Sequence, residues 1–174
     1  MTASALERHL EVASLSGEVH AVMVGIVDSL MQLDSVDGAS LSTIEGDVAY
    51  FAVCSGVDKT LEGSSLPIDE TLGTECLRRG KVTVLRATTG PEVARCLTPG
   101  AGSIVLAPIE YDGATRGILG VRSADGDSFD AHEVNMIDQL SRAAAIALRN
   151  AELVERLEEG ERQDRKSTRL NSSH

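Results

Sequence analysis

Hydrophobic and polar positions are patterned most clearly in the middle of the chain. Two apolar segments, residues 103–109 and 116–122, are rich in Ile, Val and Leu, and the polar pair Asp112-Gly113 lies between them. A type I′ turn needs positive φ at both central residues, and Asp-Gly is among the pairs that supply it best. The pattern therefore predicts a β-hairpin at the centre of a sheet.

The residues that follow this hairpin have the features of a helix start. Asp130 can cap the helix, and Glu133, three residues later, can reach back to the cap. Phe129 and Val134 are spaced so that they can pack against each other across the first turn. A strand, a turn, a strand and a capped helix thus form the predicted core unit.

Apolar residues also recur at helical spacing on both sides of Gly17, so two helical segments are predicted to open the chain. Their apolar residues are Leu6, Leu10 and Ala13 in the first, and Val19, Val22, Met23, Ile26 and Leu30 in the second.

The region between the N-terminal helices and the central hairpin predicts shorter elements, separated by glycine and proline. In order, these are a first hairpin (40–44 and 48–54), a loop (55–70), a short helix (71–79) ended by Gly80, a strand (82–85) and a second short helix (91–97).

The last helix is predicted to run from Ala131 to about Glu159, long enough to project beyond one domain. It shows two apolar stripes, so one can cover the sheet while the other meets a partner chain. The sheet-facing stripe contains Val134, Ile137, Ala144 and Leu148. The second stripe alternates steps of three and four, as in a coiled coil, and predicts a parallel homodimer built from the N-terminal helices and the end of the long helix, with its seam at Leu140, Ala143, Ala147, Asn150, Val154 and Leu157.

Beyond Gly160 the sequence becomes polar. We therefore divide the chain into a domain of residues 1–160 and a tail of residues 161–174. Residues 166–174 resemble a translated sequencing adapter, so we expect the natural protein to continue differently past about Arg165.

Composition narrows the classes of function. The formal net charge is −11, which argues against binding to nucleic acid or to anionic membranes. Only Tyr50, Phe51, Tyr111 and Phe129 are aromatic, too few to stack on a flat cofactor. The N-terminus lacks a signal-peptide core, and the longest apolar run, residues 21–27, is too short to span a bilayer. A cytoplasmic location is expected.

Candidate catalytic chemistry is sparse. Cys54, Cys76 and Cys96 are odd in number and lack C-x-x-C spacing, so buried thiols are expected rather than disulfides or zinc ligands. His132, in the first turn of the long helix, is expected to be a solvated helix-start residue. No cofactor and no metal are predicted.

Four motifs in order resemble those of GAF domains, and they extend over nearly the whole chain before the tail. They are Leu72-Gly73 with Arg79-Gly80-Lys81-Val82; Cys96, Gly100, Ser103 and Pro108-Ile109; Gly113, Gly117, Gly120-Val121 and Ser123; and Phe129-Asp130 before a long helix. The resemblance implies a small-molecule sensor and dimerisation module of a bacterial signalling protein, attached to an output domain.

The resemblance also allows three ligand chemistries to be compared residue by residue. Bilin-binding members carry a Cys-His pair where this chain has Cys96-Leu97, and cyclic-nucleotide members carry a motif of which only Phe129-Asp130 is present. Members that reduce free methionine sulfoxide place a cysteine where this chain has Glu75, next to Cys76. Redox activity through Cys76 or Cys96 therefore stays an alternative to a regulatory role.

The fold expected is α+β, with a mostly antiparallel sheet of five to six strands. The terminal helices would cover one face, and the connections of residues 55–102 would roof a ligand pocket on the other. We expect a mostly apolar pocket near Phe51, Leu72, Cys76, Leu85, Arg95, Ser103 and Val105. Arg95 could hold an anionic ligand. The rival interpretation is a structural dimerisation module with a self-filled pocket.

Overall fold

A computed structural model describes residues 17–86 and 101–173. Its helices and strands are α1 Gly17–Leu30, β1 Gly38–Glu45, β2 Val48–Gly56, β3 Ser65–Pro67, α2 Gly73–Arg79, β4 Thr83–Arg86, β5 Ser103–Tyr111, β6 Ala114–Ser123 and α3 Ala131–Asn171. Two 3₁₀ turns, Lys59–Leu61 and Ile68–Glu70, flank β3.

The strands form one six-stranded sheet in the order β3-β2-β1-β6-β5-β4, and every neighbouring pair is antiparallel. The predicted α+β class is therefore confirmed. The predicted loop of residues 55–70 contains β3, which pairs with β2 at the sheet edge. The first predicted helix, before Gly17, and the helix over 91–97 lie outside the described residues.

Both hairpins form where the turn residues predict them. Asp112 and Gly113 adopt φ of 52° and 74°, the left-handed conformation that a type I′ turn requires. Gly46, with φ of 56°, lies in the turn between β1 and β2. Gly80, with φ of 60°, ends α2 as predicted.

The sheet has two faces with different coverings because side chains alternate along each strand. Leu41, Val105 and Leu119 belong to the larger core cluster, together with Met23 of α1 and Ile137 of α3. A smaller cluster contains Cys76, Leu85, Leu106 and Ile118. The helices α1 and α3 thus cover one face, and α2 with the 3₁₀ turns lies on the other.

The start of α3 is fixed by the predicted capping box. Asp130 Oδ1 accepts a hydrogen bond from Glu133 N at 2.8 Å, and Asp130 N donates one to Glu133 Oε2 at 3.0 Å. Phe129 is buried, and Val134 packs against the same core. Since β6 leads through a short connection to this cap, the sheet determines where the long helix begins.

The predicted end of the long helix, near Glu159, is wrong, because α3 continues to Asn171. Gly160 costs only about 1 kcal/mol inside a helix. Ion pairs at helical spacing support the extension, including Glu161 with Arg165 at 3.2 Å. All side chains from Leu153 to Ser173 are nevertheless exposed.

Deletion of residues 166–174 should leave the melting temperature unchanged, because these residues contact no core and form the exposed end of a helix. Truncation before Leu148, which is buried against the sheet, should lower the melting temperature by several degrees. Differential scanning calorimetry of both truncations checks this. A drop of several degrees on removing 166–174 would show that the tail packs.

Candidate functional site

A cavity of about 170 Å³ lies on the face of the sheet that α1 and α3 leave uncovered. Its floor is built from the small residues Ser40, Ser42, Ala49 and Gly120. At Gly120, an added Cβ would lie 3.1 Å from Ser40 Oγ, so a larger residue there would take up part of the space. The cavity exists because four adjacent strand positions carry little or no side chain.

Apolar side chains form most of the walls. Phe51 comes from β2, Ile104 and Leu106 from β5, and Ile68 and Leu72 from the connection between β3 and α2. Pockets for small ligands are commonly apolar, with a few polar groups that fix orientation. The cavity has this composition.

Its principal polar feature is a buried ion pair between Asp58 and Arg122, whose Oδ1 and Nη2 atoms are in contact. Asp58 is 3 % exposed and Arg122 is 9 % exposed. Burial lowers the pKa of Arg122. Asp58 Oδ1 is held by this contact, whereas Arg122 Nε forms no hydrogen bond within the part of the chain that the structure describes.

The backbone brings the pair together from two distant segments. Arg122 follows Ile118 and Gly120 at alternate positions of β6, so its side chain lies on the cavity face. Asp58 precedes the 3₁₀ turn Lys59–Leu61, and its carbonyl accepts a hydrogen bond from Leu61 N at 2.9 Å. Gly38 makes room, since a Cβ there would lie 2.9 Å from Asp58 Oδ2.

The pocket residues predicted from the sequence lie in several different parts of the structure. Phe51 and Leu72 line the cavity. Cys76 and Leu85 belong to the cluster beside it, in which Leu106 and Ile118 also line the cavity.

Two other expected pocket residues lie elsewhere, and one is not described. Val105 is on the helix-covered face, because in β5 it is Ile104 and Leu106 that point to the cavity. Ser103 Oγ donates a hydrogen bond to Asp125 O at 2.6 Å, and so holds the loop after β6 instead of lining the cavity. Arg95 lies outside the described residues.

The sequence analysis missed Asp58 and Arg122. A signal for Arg122 was available, since the period of two along the predicted strand places it on the same face as Ile118 and Gly120. Asp58 gave no comparable signal, because it lies in a segment predicted as a loop.

Cys54 and Cys76, the two cysteines within the described residues, are expected to be unreactive at neutral pH. Burial, with a smaller contribution from the nearby Glu62 carboxylate, raises the pKa of the Cys54 thiol to about 12. Burial likewise raises the pKa of Cys76 to about 12, with Glu110 adding to the effect. A thiol that stays protonated at neutral pH is a poor nucleophile.

This protonation predicts a loss of stability at alkaline pH. Each thiol keeps its proton in the folded state up to about pH 12, whereas the unfolded thiol titrates near pH 9. The stabilising contribution is therefore complete below pH 9 and is lost as the pH rises toward 12. Between pH 9 and 11, the free energy of unfolding should fall less steeply in Cys54→Ala/Cys76→Ala than in the wild type. Denaturant titrations at several pH values measure the two slopes, and equal slopes would contradict the prediction.

The tip of the central hairpin is bound to the middle of α3. Tyr111 Oη donates a hydrogen bond to Glu152 Oε1 at 2.6 Å, and Arg149 Nε lies 2.9 Å from Asp112 Oδ1. Burial and the Glu152 carboxylate raise the pKa of Tyr111. The helix is thus attached to the sheet at its cap and again about five to six turns later.

Beyond this attachment, α3 presents apolar side chains to solvent. Val154 is 53 % exposed and Leu157 is 69 % exposed, and both belong to the predicted seam. Ala143 and Asn150 are also exposed, whereas Leu140 and Ala147 are half-buried. Ile146 and Leu153 enlarge the exposed apolar surface beside the seam, and the sequence analysis did not include them.

Two further classes of site were considered. No helix within the ranges 17–86 and 101–173 is both long and apolar enough to cross a bilayer. In the same ranges, no group of three or more His, Cys, Asp or Glu side chains is arranged to hold a metal ion.

Solved structures with the same fold come from several kinds of protein. The GAF domain of an Acinetobacter phosphoenolpyruvate-protein phosphotransferase matches with a TM-score of 0.69 and 18 % identity, over 88 % of this chain and 98 % of that one. A GAF domain/HD domain protein from Geobacter sulfurreducens gives 0.65 and 17 %, over 82 % and 98 %. A type II free methionine-R-sulfoxide reductase from Thermoplasma acidophilum gives 0.67 and 14 %, over 78 % and 96 %. At these identities the likeness shows the fold alone.

No curated protein matches the chain significantly. The sequence model of the GAF domain family matches residues 16–149, which include the whole sheet and most of the part of α3 that packs on it. The sequence motifs, the antiparallel sheet and this match all indicate the same family. The chain belongs to the GAF domain family.

Proposed function

We propose that this GAF domain is a small-molecule-sensing and dimerisation module of a bacterial signal-transduction protein, acting in the cytoplasm. The observation that carries the proposal is the cavity of about 170 Å³, with apolar walls and a buried ion pair between Asp58 and Arg122. The resemblance to GAF domains from proteins such as a phosphotransferase supports a regulatory role. Binding of a ligand in the cavity would be relayed through α3 to an output domain.

The relay is supported by the connections between the cavity and the helix. β6 contributes Ile118, Gly120 and Arg122 to the cavity and leads to the cap of α3. The β5–β6 turn contacts α3 again through Tyr111 and Glu152. A change in the position of β6 would therefore be transmitted to α3 at two points.

The proposed homodimer is parallel, with a short coiled coil along the exposed stripe of α3. Isolated helices in water are marginally stable, and the side chains of α3 from Leu153 to Ser173 are all exposed. The exposed Val154 and Leu157 supply apolar area for a second copy. Asn150 in the seam would fix the register at some cost in stability. We propose no nucleic-acid or membrane partner, in keeping with the net charge of −11.

A non-enzymatic role is favoured over methionine sulfoxide reduction. The Thermoplasma acidophilum reductase shares the fold. In this chain, however, Cys76 is fully buried and its pKa is raised to about 12, so it lacks the thiolate that reduction of a sulfoxide requires. Cys96 lies outside the described residues, and an activity assay on free methionine sulfoxide tests its contribution.

Native mass spectrometry tests the sensing role. Protein purified without harsh washing should carry a small-molecule adduct, and Ala49→Leu, which extends a side chain into the cavity floor, should abolish it. Ala131→Leu adds the same side chain at an exposed position and should leave the adduct in place. Absence of any adduct, together with no thermal shift by any member of a metabolite library, would favour the structural module instead.

A further inference from the structure

The two helices that cover the sheet are held on it in different ways. α1 buries five aliphatic side chains larger than that of alanine, namely Val19, Met23, Ile26, Val27 and Leu30. Between residues 141 and 152, α3 buries only one, that of Leu148, and its other buried residues there are Ser141, Ala144, Ala145 and Ala151. Hydrophobic stabilisation grows with the apolar area removed from water. This part of α3 is therefore bound to the sheet more weakly than α1.

The beginning of α3 is fixed more firmly. Its capping box joins Asp130 to Glu133, and the same Glu133 accepts a hydrogen bond from Ser35 Oγ at 2.7 Å. Ile137 is fully buried, and Phe129 before the cap is buried as well. We therefore distinguish a first part of α3, residues 131–140, from a second part, residues 141–152.

The second part also lacks packing along one side. Among the described residues, an open groove of about 850 Å³ lies between it and the connection from α2 to β4. Ala145, Ile146 and Arg149 line the groove on the helix side, and Ile146 is 64 % exposed. Segments with few buried apolar contacts open at a lower free energy than the core does. The second part of α3 is such a segment.

Polar contacts with the tip of the central hairpin compensate for this weak packing. Tyr111 Oη donates a hydrogen bond to Glu152 Oε1 at 2.6 Å, and Arg149 Nε lies 2.9 Å from Asp112 Oδ1. Hydrogen bonds to charged groups are stronger than those between neutral groups. Both contacts lie near the end of the second part, where they hold it against the sheet.

We propose that these two contacts form a releasable latch, and that residues 141–152 undock from the sheet as a unit when it opens. The sheet, α1 and the first part of α3 stay folded, while Leu148 becomes exposed. The hairpin tip joins β5 and β6, which both line the cavity, so a shift of either strand would act on the latch. The latch is a property of the fold and does not depend on a ligand.

Hydrogen exchange followed by mass spectrometry on the full chain tests the latch. Amides of residues 145–152 should exchange at least about tenfold faster than those of β5 and β6, because local undocking needs less free energy than global unfolding. Low concentrations of urea should accelerate exchange steeply in the strands and only slightly in residues 145–152, since undocking exposes much less surface. Equal rates and equal urea dependence would overturn the proposal.

Matched variants assign the opening to the latch. Tyr111→Phe/Asp112→Asn keeps the ring, and asparagine tolerates the left-handed conformation of position 112, where φ is 52°. Exchange of residues 145–152 should become at least about tenfold faster in this variant. Arg86→Gln/Asp127→Asn removes an exposed ion pair between β4 and the loop after β6, and should leave this exchange unchanged.

Two further outcomes would also overturn the latch. Unchanged exchange of residues 145–152 in Tyr111→Phe/Asp112→Asn would show that packing alone holds the helix. Equal acceleration in β5, β6 and residues 145–152 would show that the contacts stabilise the domain as a whole. If this variant does not fold, the urea dependence of the wild-type chain decides. None of these measurements involves a ligand, so the latch and the sensing function stand or fall separately.

Discussion

Replacing Arg122 by methionine is expected to lower the free energy of unfolding by about 3–5 kcal/mol. The substitution keeps much of the side-chain volume but leaves Asp58, which is 3 % exposed, as an unpaired buried charge. Arg149→Met removes an exposed partner of Asp112 and should cost less than about 1 kcal/mol. Urea denaturation of the two variants measures the difference.

A double variant separates the loss of the pair from the loss of packing. Asp58→Leu/Arg122→Met replaces both charges by apolar groups and should recover most of the stability lost in Arg122→Met. Equal destabilisation by Arg122→Met and Arg149→Met would show that the buried pair is hydrated and unimportant to the fold.

Val154→Asp/Leu157→Asp is expected to raise the dissociation constant of the proposed homodimer at least about a hundredfold. Each substitution occurs twice in the dimer and places a charge where an apolar side chain would be buried against its counterpart. Both residues are exposed in the single chain, so the variant should keep its fold and its melting temperature at low concentration. Sedimentation equilibrium over a range of concentrations gives the constants.

The control for added charge lies on the same helix. Gln163→Asp/Ser167→Asp introduces the same two negative charges, on the opposite side of α3 from the seam at 100° per residue. This variant should dimerise as the wild type does. A wild-type chain that stays monomeric at high concentration, or a Val154→Asp/Leu157→Asp chain that dimerises normally, would exclude this seam.

Much of the fold could be predicted because short segments of the sequence determine its turns and helix ends. The turn at Asp112-Gly113 and the cap at Asp130 each depend on a few adjacent residues with specific backbone preferences. The predicted helix end falls too early because a helix can continue after its apolar stripe has ended. Ion pairs such as Glu161 with Arg165 sustain helical structure without any apolar face.

The site was predicted less well because it depends on long-range geometry. The cavity floor requires small residues from β1, β2 and β6 to become neighbours, which only strand order and register determine. The choice of lining residues is sensitive to the register of each strand. In β5, a shift of one position decides whether Val105, or instead Ile104 and Leu106, faces the cavity. The partners Asp58 and Arg122 are far apart in the sequence, and nothing local connects them.

α3 packs on the sheet from its cap to Glu152 and then projects to Asn171 with its side chains exposed. If it pivots at its cap near Asp130, the contact at Glu152 lies about 33 Å from the pivot and Asn171 lies about 62 Å from it, at 1.5 Å per residue. A displacement of about 1 Å at the hairpin tip would therefore become nearly 2 Å at the far end. The exposed part of α3, from Leu153 onward, thus about doubles at its far end any displacement of the packed part.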